Sequence, residues 1–348
     1  MHVEAMVIPG PLAGTAELAR RAQAAGFAGL LFTEGGRTAY LGAAVASQAA
    51  PGLALSTGVA VAFPRSPFVT AVSAWELQQA TGGDFRLGLG TQVRRHVERR
   101  YGAAFDPPGP RLRDYIKAVK ACFTAFRTGE LDYFGEFYEL DFITPQWSPG
   151  PIDVPDPKVD AAAVNLWMLR MAGEVADGVH VHPLGDPGYL RRHVLPNVAA
   201  GAAKAGRDPA DVAVTVPALT IVGDDDAERH AERELVRASL AFYGSTPNYA
   251  FIWDEAGFEG TTARIREKQK AADIAGMAAQ ITDEHLAMFA TEATWDGLAD
   301  ALTAKYDGLT ERLVLYNALG LHHGGDLDRF ERYGEIARRM RGSAAPLR

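Results

Sequence analysis

The sequence predicts an α/β fold, a (β/α)8 TIM barrel with a helical insertion after the seventh strand. Three observations carry this prediction. Short apolar runs alternate with amphipathic segments along the whole chain, the alternation repeats eight times, and 348 residues is a length that a barrel with insertions reaches as one domain, 1–348. Strands that alternate with helices imply a parallel sheet, and eight of them at this length imply closure into a barrel. An open doubly wound sheet is the other arrangement the pattern allows.

The first half reads as four strand–helix units. Val3–Ile8 is an apolar strand, followed by a helix over Thr15–Ala25 with Thr15 as its N-cap and Gly26 as its stop. Gly29–Thr33 and Leu53–Ala62 are the second and third strands, each followed by a helix, Ala43–Ala49 and Pro67–Gln79. Phe85–Leu89 is the fourth strand. The helix after it, Leu112–Phe126, sets Ile116, Val119, Phe123 and Phe126 on one face. Cys122 lies within that apolar set and reads as a core thiol.

The second half keeps the rhythm with longer insertions. Strands are expected at Lys158–Val164, Val179–His182, Val212–Val222 and Arg312–Tyr316, with helices at Leu166–Ala176, Tyr189–Ala205, Trp295–Lys305 and Asp326–Met340. Residues of about 224–293 are mostly helical in pattern and too long for an ordinary loop, so they form the insertion.

Composition narrows the function. Apolar residues at 47% and charged residues at 22% describe a globular chain, and a formal net charge of −8 argues against a nucleic-acid partner held by phosphate neutralisation. One cysteine cannot form an internal disulfide. No secretion signal is visible at the start, and no apolar run is long enough to span a bilayer, so a cytoplasmic protein without a membrane partner is expected.

A barrel of this kind carries its chemistry where the strands end. Those positions here are Ile8-Pro9-Gly10, Thr33-Glu34-Gly35-Gly36, Val61-Ala62-Phe63, Gly88 to Gln92, Ala162 to Asn165, His180 to Pro183, and Tyr316-Asn317. Strong acids and bases are scarce among them, and no metal-grade set of His, Cys and Asp is evident, so no metal is expected. Glycines, small residues and neutral polar groups suit a flat cofactor that needs close backbone approach.

Four segments, in order, carry a family resemblance. Arg86-Leu87-Gly88-Leu89-Gly90-Thr91-Gln92-Val93, continued by Glu98-Arg99-Arg100-Tyr101-Gly102, resembles the fourth-strand signature of luciferase-like, coenzyme F420-dependent oxidoreductases. Ala172 to Gly178 resembles the helix-to-strand turn of the same superfamily, and Ala62 to Pro67 and Ala241 to Pro247 resemble one subgroup of it. The resemblance implies a non-prolyl cis peptide at Gly58–Val59 behind the cofactor ring. It implies that Gly90, Thr91 and Gln92 border the cofactor. The residues Ala162, Ala163, Val164 and Asn165 then receive a phosphate at the start of a helix that Asn165 caps.

The chain departs from the family pattern after the second strand. Relatives continue Thr-Glu with His-Asp-Pro; this chain reads Thr33-Glu34-Gly35-Gly36-Arg37. Glu34, the remaining strand-end carboxylate of the resemblance, is the candidate for proton handling or ring contact, with Arg37 a nearby base that can pair with it. His182 is the second catalytic candidate; His180 lies on the same side of its strand. Tyr243, Tyr249, Phe251, Trp253 and Phe258 in the insertion read either as a wall over a small-molecule substrate or as the insertion's own packing. The basic run Arg94, Arg95, His96, Arg99, Arg100 reads either as a contact for the acidic tail or phosphate of coenzyme F420 or as a solvated helix face.

Three functions remain open at this point. The first is hydride transfer between coenzyme F420 and a small organic substrate, the second a monooxygenase that uses reduced FMN and O2, and the third a non-catalytic barrel that acts as a binding subunit. Dimers are common in the superfamily, which leaves a homodimer open.

Overall fold

The structure is a computed structural model that describes residues 1–320 and 326–342. Its centre is a ring of eight parallel strands: β1 (His2–Val7), β2 (Gly29–Phe32), β3 (Ala54–Thr57), β4 (Phe85–Gly90), β5 (Lys158–Ala162), β6 (Gly178–His180), β7 (Ala213–Val222) and β8 (Arg312–Leu315). Each strand pairs with the next, and β8 pairs with β1 in the register His2 with Arg312 and Ala5 with Leu315. The ring is therefore closed, and the open doubly wound alternative falls.

Several boundaries differ from those the sequence suggests. The first helix spans Leu12–Ala25 and begins after Pro11, so Thr15 is a buried residue inside it and not its cap; Gly26 ends it at φ 108°, a left-handed conformation that glycine adopts without penalty. The third strand is not continuous over Leu53–Ala62. It stops at Thr57, and the chain returns to pair with β4 only at Ala60–Val61. Within the region between β7 and β8, Ala290–Ala293 extends β7 by a further parallel pairing, which the helical pattern hid. The rest of that region is helical, from Asp226–Gly244 to Asp283–Phe289.

The long helix Pro108–Thr128 shows how the outer layer is built. Proline at its first turn suits a helix start, and Gly129 ends it in the left-handed region at φ 83°. Its stripe of Leu112, Ile116, Val119, Phe123 and Phe126 is buried against the helix Pro67–Ala80, whose Trp75 stacks on Phe123 with ring centroids 5.6 Å apart. Cys122 is buried in the same layer. Burial pushes its thiol up to about 12, which keeps it neutral and unreactive, as a core thiol should be.

Inside the ring, side chains alternate between wall and interior with a period of two, which stacks the contents in layers. The lower layer is ionic. Glu4 of β1 pairs with Arg312 of β8, accepts from the Ser56 hydroxyl at 2.6 Å, and lies 3.0 Å from His2 Nε2. Arg86 of β4 donates to Asp160 of β5 at 2.9 Å, and His180 of β6 lies 3.3 Å from the same carboxylate. Gly178 makes room for this pair: a Cβ there would stand 2.5 Å from Asp160 Oδ1 and 2.9 Å from the Arg86 guanidinium. The layer above is apolar. Met6, Leu31 and Val314 form a separate buried cluster, with Ile8 and Tyr316 packed on it from the mouth side.

Burial alone would raise both carboxyls, but the facing guanidinium groups win and hold Glu4 and Asp160 well below the usual carboxylate range. Because these groups titrate lower in the folded chain than in the unfolded one, their stabilisation is complete above about pH 5 and is lost as the pH falls. Denaturant unfolding measured across an acidic pH series should show that loss. Arg312→Met leaves the Glu4 carboxylate buried without its cation and should cost about 3–5 kcal/mol. Adding Glu4→Gln to it should restore most of that stability, and a pair of additive losses would contradict the coupling.

Candidate active site

The mouth of the barrel, at the carboxyl ends of the strands, has two unlike halves. On the side of β3, β4 and β5 the rim is made of small residues and backbone. The Gly58–Val59 peptide is cis, as the resemblance implied. Gly58 lies directly over Leu31, where an added Cβ would be 2.2 Å from a Leu31 methyl. A Cβ on Gly90 would meet Val59 Cγ2 at 2.5 Å and Ala162 Cβ at 3.5 Å, so Gly58, Val59, Gly90 and Ala162 form one continuous surface.

The other candidate cofactor residues fan outward from that surface. Thr91 and Gln92 form the turn that leaves β4; Gln92 is at φ 57°, and its own side chain accepts from the Val93 N–H at 2.9 Å. Ala163 is buried and donates to the His180 carbonyl at 3.2 Å, and Val164 accepts from the Tyr189 hydroxyl. Asn165 is exposed and caps the helix Leu166–Val175, its side chain accepting from Met168 N–H at 2.9 Å. The first N–H groups of that helix, at Leu166 and Trp167, have no partner within it, which is the ordinary condition of a helix start.

On the side of β6, β7 and β8 the rim is aromatic. Tyr316, two residues past Val314 on the interior side of β8, shares a hydrogen bond between hydroxyls with Tyr243 of the helix Asp226–Gly244. His182, just past β6, meets Tyr243 edge-on at 5.0 Å and Tyr249 at 4.0 Å. Burial pushes the His182 imidazole down to about 3, and its Nδ1 accepts from the Leu184 N–H at 3.2 Å. The ring is therefore neutral with its proton on Nε2, a donor and not a base at neutral pH. Burial likewise raises the hydroxyls of Tyr243 and Tyr316 above the ordinary phenol value, so both stay protonated.

Glu34 has a different setting from the one its position suggested. It stands at the end of β2, across the ring from His182, and its partner is Arg65 and not Arg37, which is exposed. The Arg65 guanidinium grips both carboxylate oxygens, with Nη1 to Oε2 at 3.0 Å, and the Val61 N–H donates to Oε2 at 2.7 Å. Arg65 also donates to the Val61 carbonyl and to the Thr38 hydroxyl, both at 3.2 Å, and lies over the Tyr40 ring. Glu34 and Arg65 thus hold the chain as it leaves the cis peptide. The sequence offered a signal for this only in the position of Arg65, four residues beyond Val61.

The aromatic residues of the insertion divide. Tyr243 and Tyr249 reach the mouth, whereas Trp253 and Phe258 pack on His285 and Phe289 within the insertion, and Phe251 faces Tyr189. His180 is likewise settled in the ionic layer and not at the mouth.

Comparison with known proteins fits this fold. The family model described as luciferase-like monooxygenase matches residues 1–312. An uncharacterized protein of Mycobacterium tuberculosis is 35% identical over 308 residues, covering 88% of this chain and 91% of its own length. A 5,10-methylenetetrahydromethanopterin reductase of Methanolobus tindarius is 28% identical over 233 residues, covering 66% of this chain and 68% of its own. The structure of a coenzyme F420 dependent tetrahydromethanopterin reductase from Methanopyrus kandleri superposes with a TM-score of 0.78 at 18% identity, over 96% of this chain and 97% of that one. This chain belongs to the luciferase-like monooxygenase family, whose members are oxidoreductases.

Glu34→Ala should remove the anchor of Arg65 and of the Val61 N–H together. With Arg65 partly exposed, a loss of about 2–3 kcal/mol is expected. Thermal melting of the variant checks this; unchanged stability with a large loss of turnover would instead assign Glu34 to proton handling.

Proposed function

We propose that the protein passes a hydride between coenzyme F420 and a small organic substrate held under the aromatic half of the rim. The observation that carries this reading is the division of the mouth into a side-chain-poor wall and a wall of neutral hydrogen-bond donors. Gly58, Val59, Gly90 and Ala162 present backbone and methyl groups, the surface against which a flat ring can lie closely. The chemistry of hydride transfer is the deazaflavin's own when it is bound. The protein's tasks are then to place the ring, exclude water and supply a proton or a hydrogen bond.

The residues divide these tasks. Asn165 shapes the helix start whose N–H groups at Leu166 and Trp167 suit a phosphate. The Tyr243 and Tyr316 hydroxyls share one proton between them, which leaves the accepting hydroxyl free to donate its own to a substrate oxygen. His182 Nε2–H is a second donor beside them. Tyr249 and Tyr243 cover His182 and keep the space apolar. Glu34, fully engaged by Arg65 and Val61, is a positioning residue for the cis-peptide wall.

A Mycobacterium tuberculosis relative whose name specifies a putative coenzyme F420-dependent oxidoreductase, 30% identical over 173 residues, supports the coenzyme F420 reading over the FMN-dependent one. Fluorescence titration of the protein with both cofactors tests it: coenzyme F420 should bind more tightly. Tighter binding of FMN would support the monooxygenase reading, and binding of neither the non-catalytic barrel. With a substrate found by following deazaflavin absorbance, Tyr316→Phe should lower kcat by about 10²-fold at unchanged cofactor affinity. Because His182 stays neutral down to about pH 3, the rate should show no limb from this residue near pH 6.5.

A further inference from the structure

Below the rim, the barrel interior is closed on one side and open on the other. Under the Tyr316 hydroxyl, Met6, Leu31 and Val314 are buried and form the apolar floor. On the side of β3, β5, β6 and β7, the interior-facing residues Gly58, Ala162, His180 and Pro217 all keep accessible surface. Of these four, His180 has the polar side chain. It stands in register between Ala162 of β5 and Thr215 of β7.

Access to His180 comes from the mouth. Two residues back on β6 is Gly178, where a Cβ would stand 2.5 Å from Asp160 Oδ1 and 2.9 Å from the Arg86 guanidinium. That ion pair fills the barrel under the imidazole, so the 10% of the His180 side chain that stays accessible faces upward. Across from it, Gly88 leaves room: a Cβ there would lie 2.8 Å from His180 Nε2.

The imidazole is also poorly satisfied. Nε2 is buried 3.3 Å from Asp160 Oδ2, within ion-pair range but without the alignment of a hydrogen bond, and among the described residues no other group bonds to the ring. The Thr215 hydroxyl in register beside it is buried without a partner as well. Buried nitrogens of a histidine that only fills a core are ordinarily bonded. Asp160 and Arg86 are the charged groups that face His180; Glu4 and Asp177 lie within electrostatic reach of Arg86, and Arg312 matches Glu4. His182 above it is neutral. Because Asp160 and Arg86 cancel, a proton on His180 gives this floor one positive charge.

We propose that His180 is a cofactor-contacting residue: a flat ring lying against Gly58 and Ala162 brings its inner edge to this imidazole, which takes up a proton when the ring holds a hydride. The proposal rests on the hydride-transfer reading. A ring that gains H⁻ gains one negative charge, and protein charge beside a redox ring sets how well its reduced form is held. The proton enters from solvent by the mouth, balances that charge on His180, and returns to solvent when the hydride leaves; no bond forms between imidazole and ring.

Titrations of oxidised and reduced coenzyme F420 between about pH 5 and pH 8 test this, with FMN and its reduced form as the second pair. The wild type should favour the reduced form increasingly as the pH falls, and nitrogen resonances of the labelled imidazoles should show one more protonated ring with the reduced form than with the oxidised one. His180→Gln keeps a donor toward Asp160 but cannot take up a proton. It should melt near the wild-type temperature, bind the oxidised form unchanged, and bind the reduced form about tenfold more weakly at the acidic end. If the variant does not fold, the wild-type resonances decide alone. An unchanged preference in the variant, or no imidazole that gains a proton in the wild type, overturns the role of His180 and leaves the hydride-transfer reading in place. Failure of both cofactors to bind the wild type overturns that reading and this role together.

Discussion

The pairing of Glu4 on the first strand with Arg312 on the last closes the ring, and the arrangement above it depends on that closure. Two carboxylates and two guanidinium groups fill the lower barrel, from β1, β4, β5 and β8, where most barrels place branched apolar side chains. Such pairs contribute little net stability, because desolvation offsets most of the attraction. Their effect is on register. A slip of one residue in any of these strands turns its interior charge outward and leaves its partner alone in the core.

A fixed register at the bottom fixes the residues two and four places further along each strand. Glu4, Met6 and Ile8 climb β1, as Arg312, Val314 and Tyr316 climb β8 and His180 and His182 climb β6. The apolar floor of Met6, Leu31 and Val314 separates the charges from the mouth, so the hydroxyls and the imidazole above it see a dry, neutral setting. That setting is why His182 is uncharged and why the tyrosines keep their protons. A mouth whose described residues offer neutral donors and no free carboxylate suits chemistry that a bound cofactor brings with it.

The clamp of Glu34 and Arg65 braces the small-residue half of this design. It holds Val61 just beyond the cis peptide and, through Thr38 and Tyr40, joins the small-residue wall to the helix Ala39–Ala49. A carboxylate with both oxygens already bound is a strut, and the absence of the His-Asp-Pro element after β2 leaves no neighbouring acid on that segment to take another role.

The eight strands, their order and the residues that end them at the mouth were legible in the sequence, because period and punctuation are local properties: apolar runs of strand length, glycine stops and strand-end residues such as Gly58, Gly90 and His182 lie in single short windows. The break of β3 after Thr57, the strand at Ala290–Ala293 and the true start of the first helix were not, since each depends on a neighbour distant in the chain. The same holds for pairing. Arg37 is closer to Glu34 in sequence, yet Arg65 reaches it because β2 and β3 lie side by side. Tyr243 and Tyr316, separated by 73 positions, meet only where the insertion folds back over β8. The sequence by itself determined which residues border the mouth; the closed ring decided which of them touch, because barrel closure sets distances between residues that no local pattern encodes.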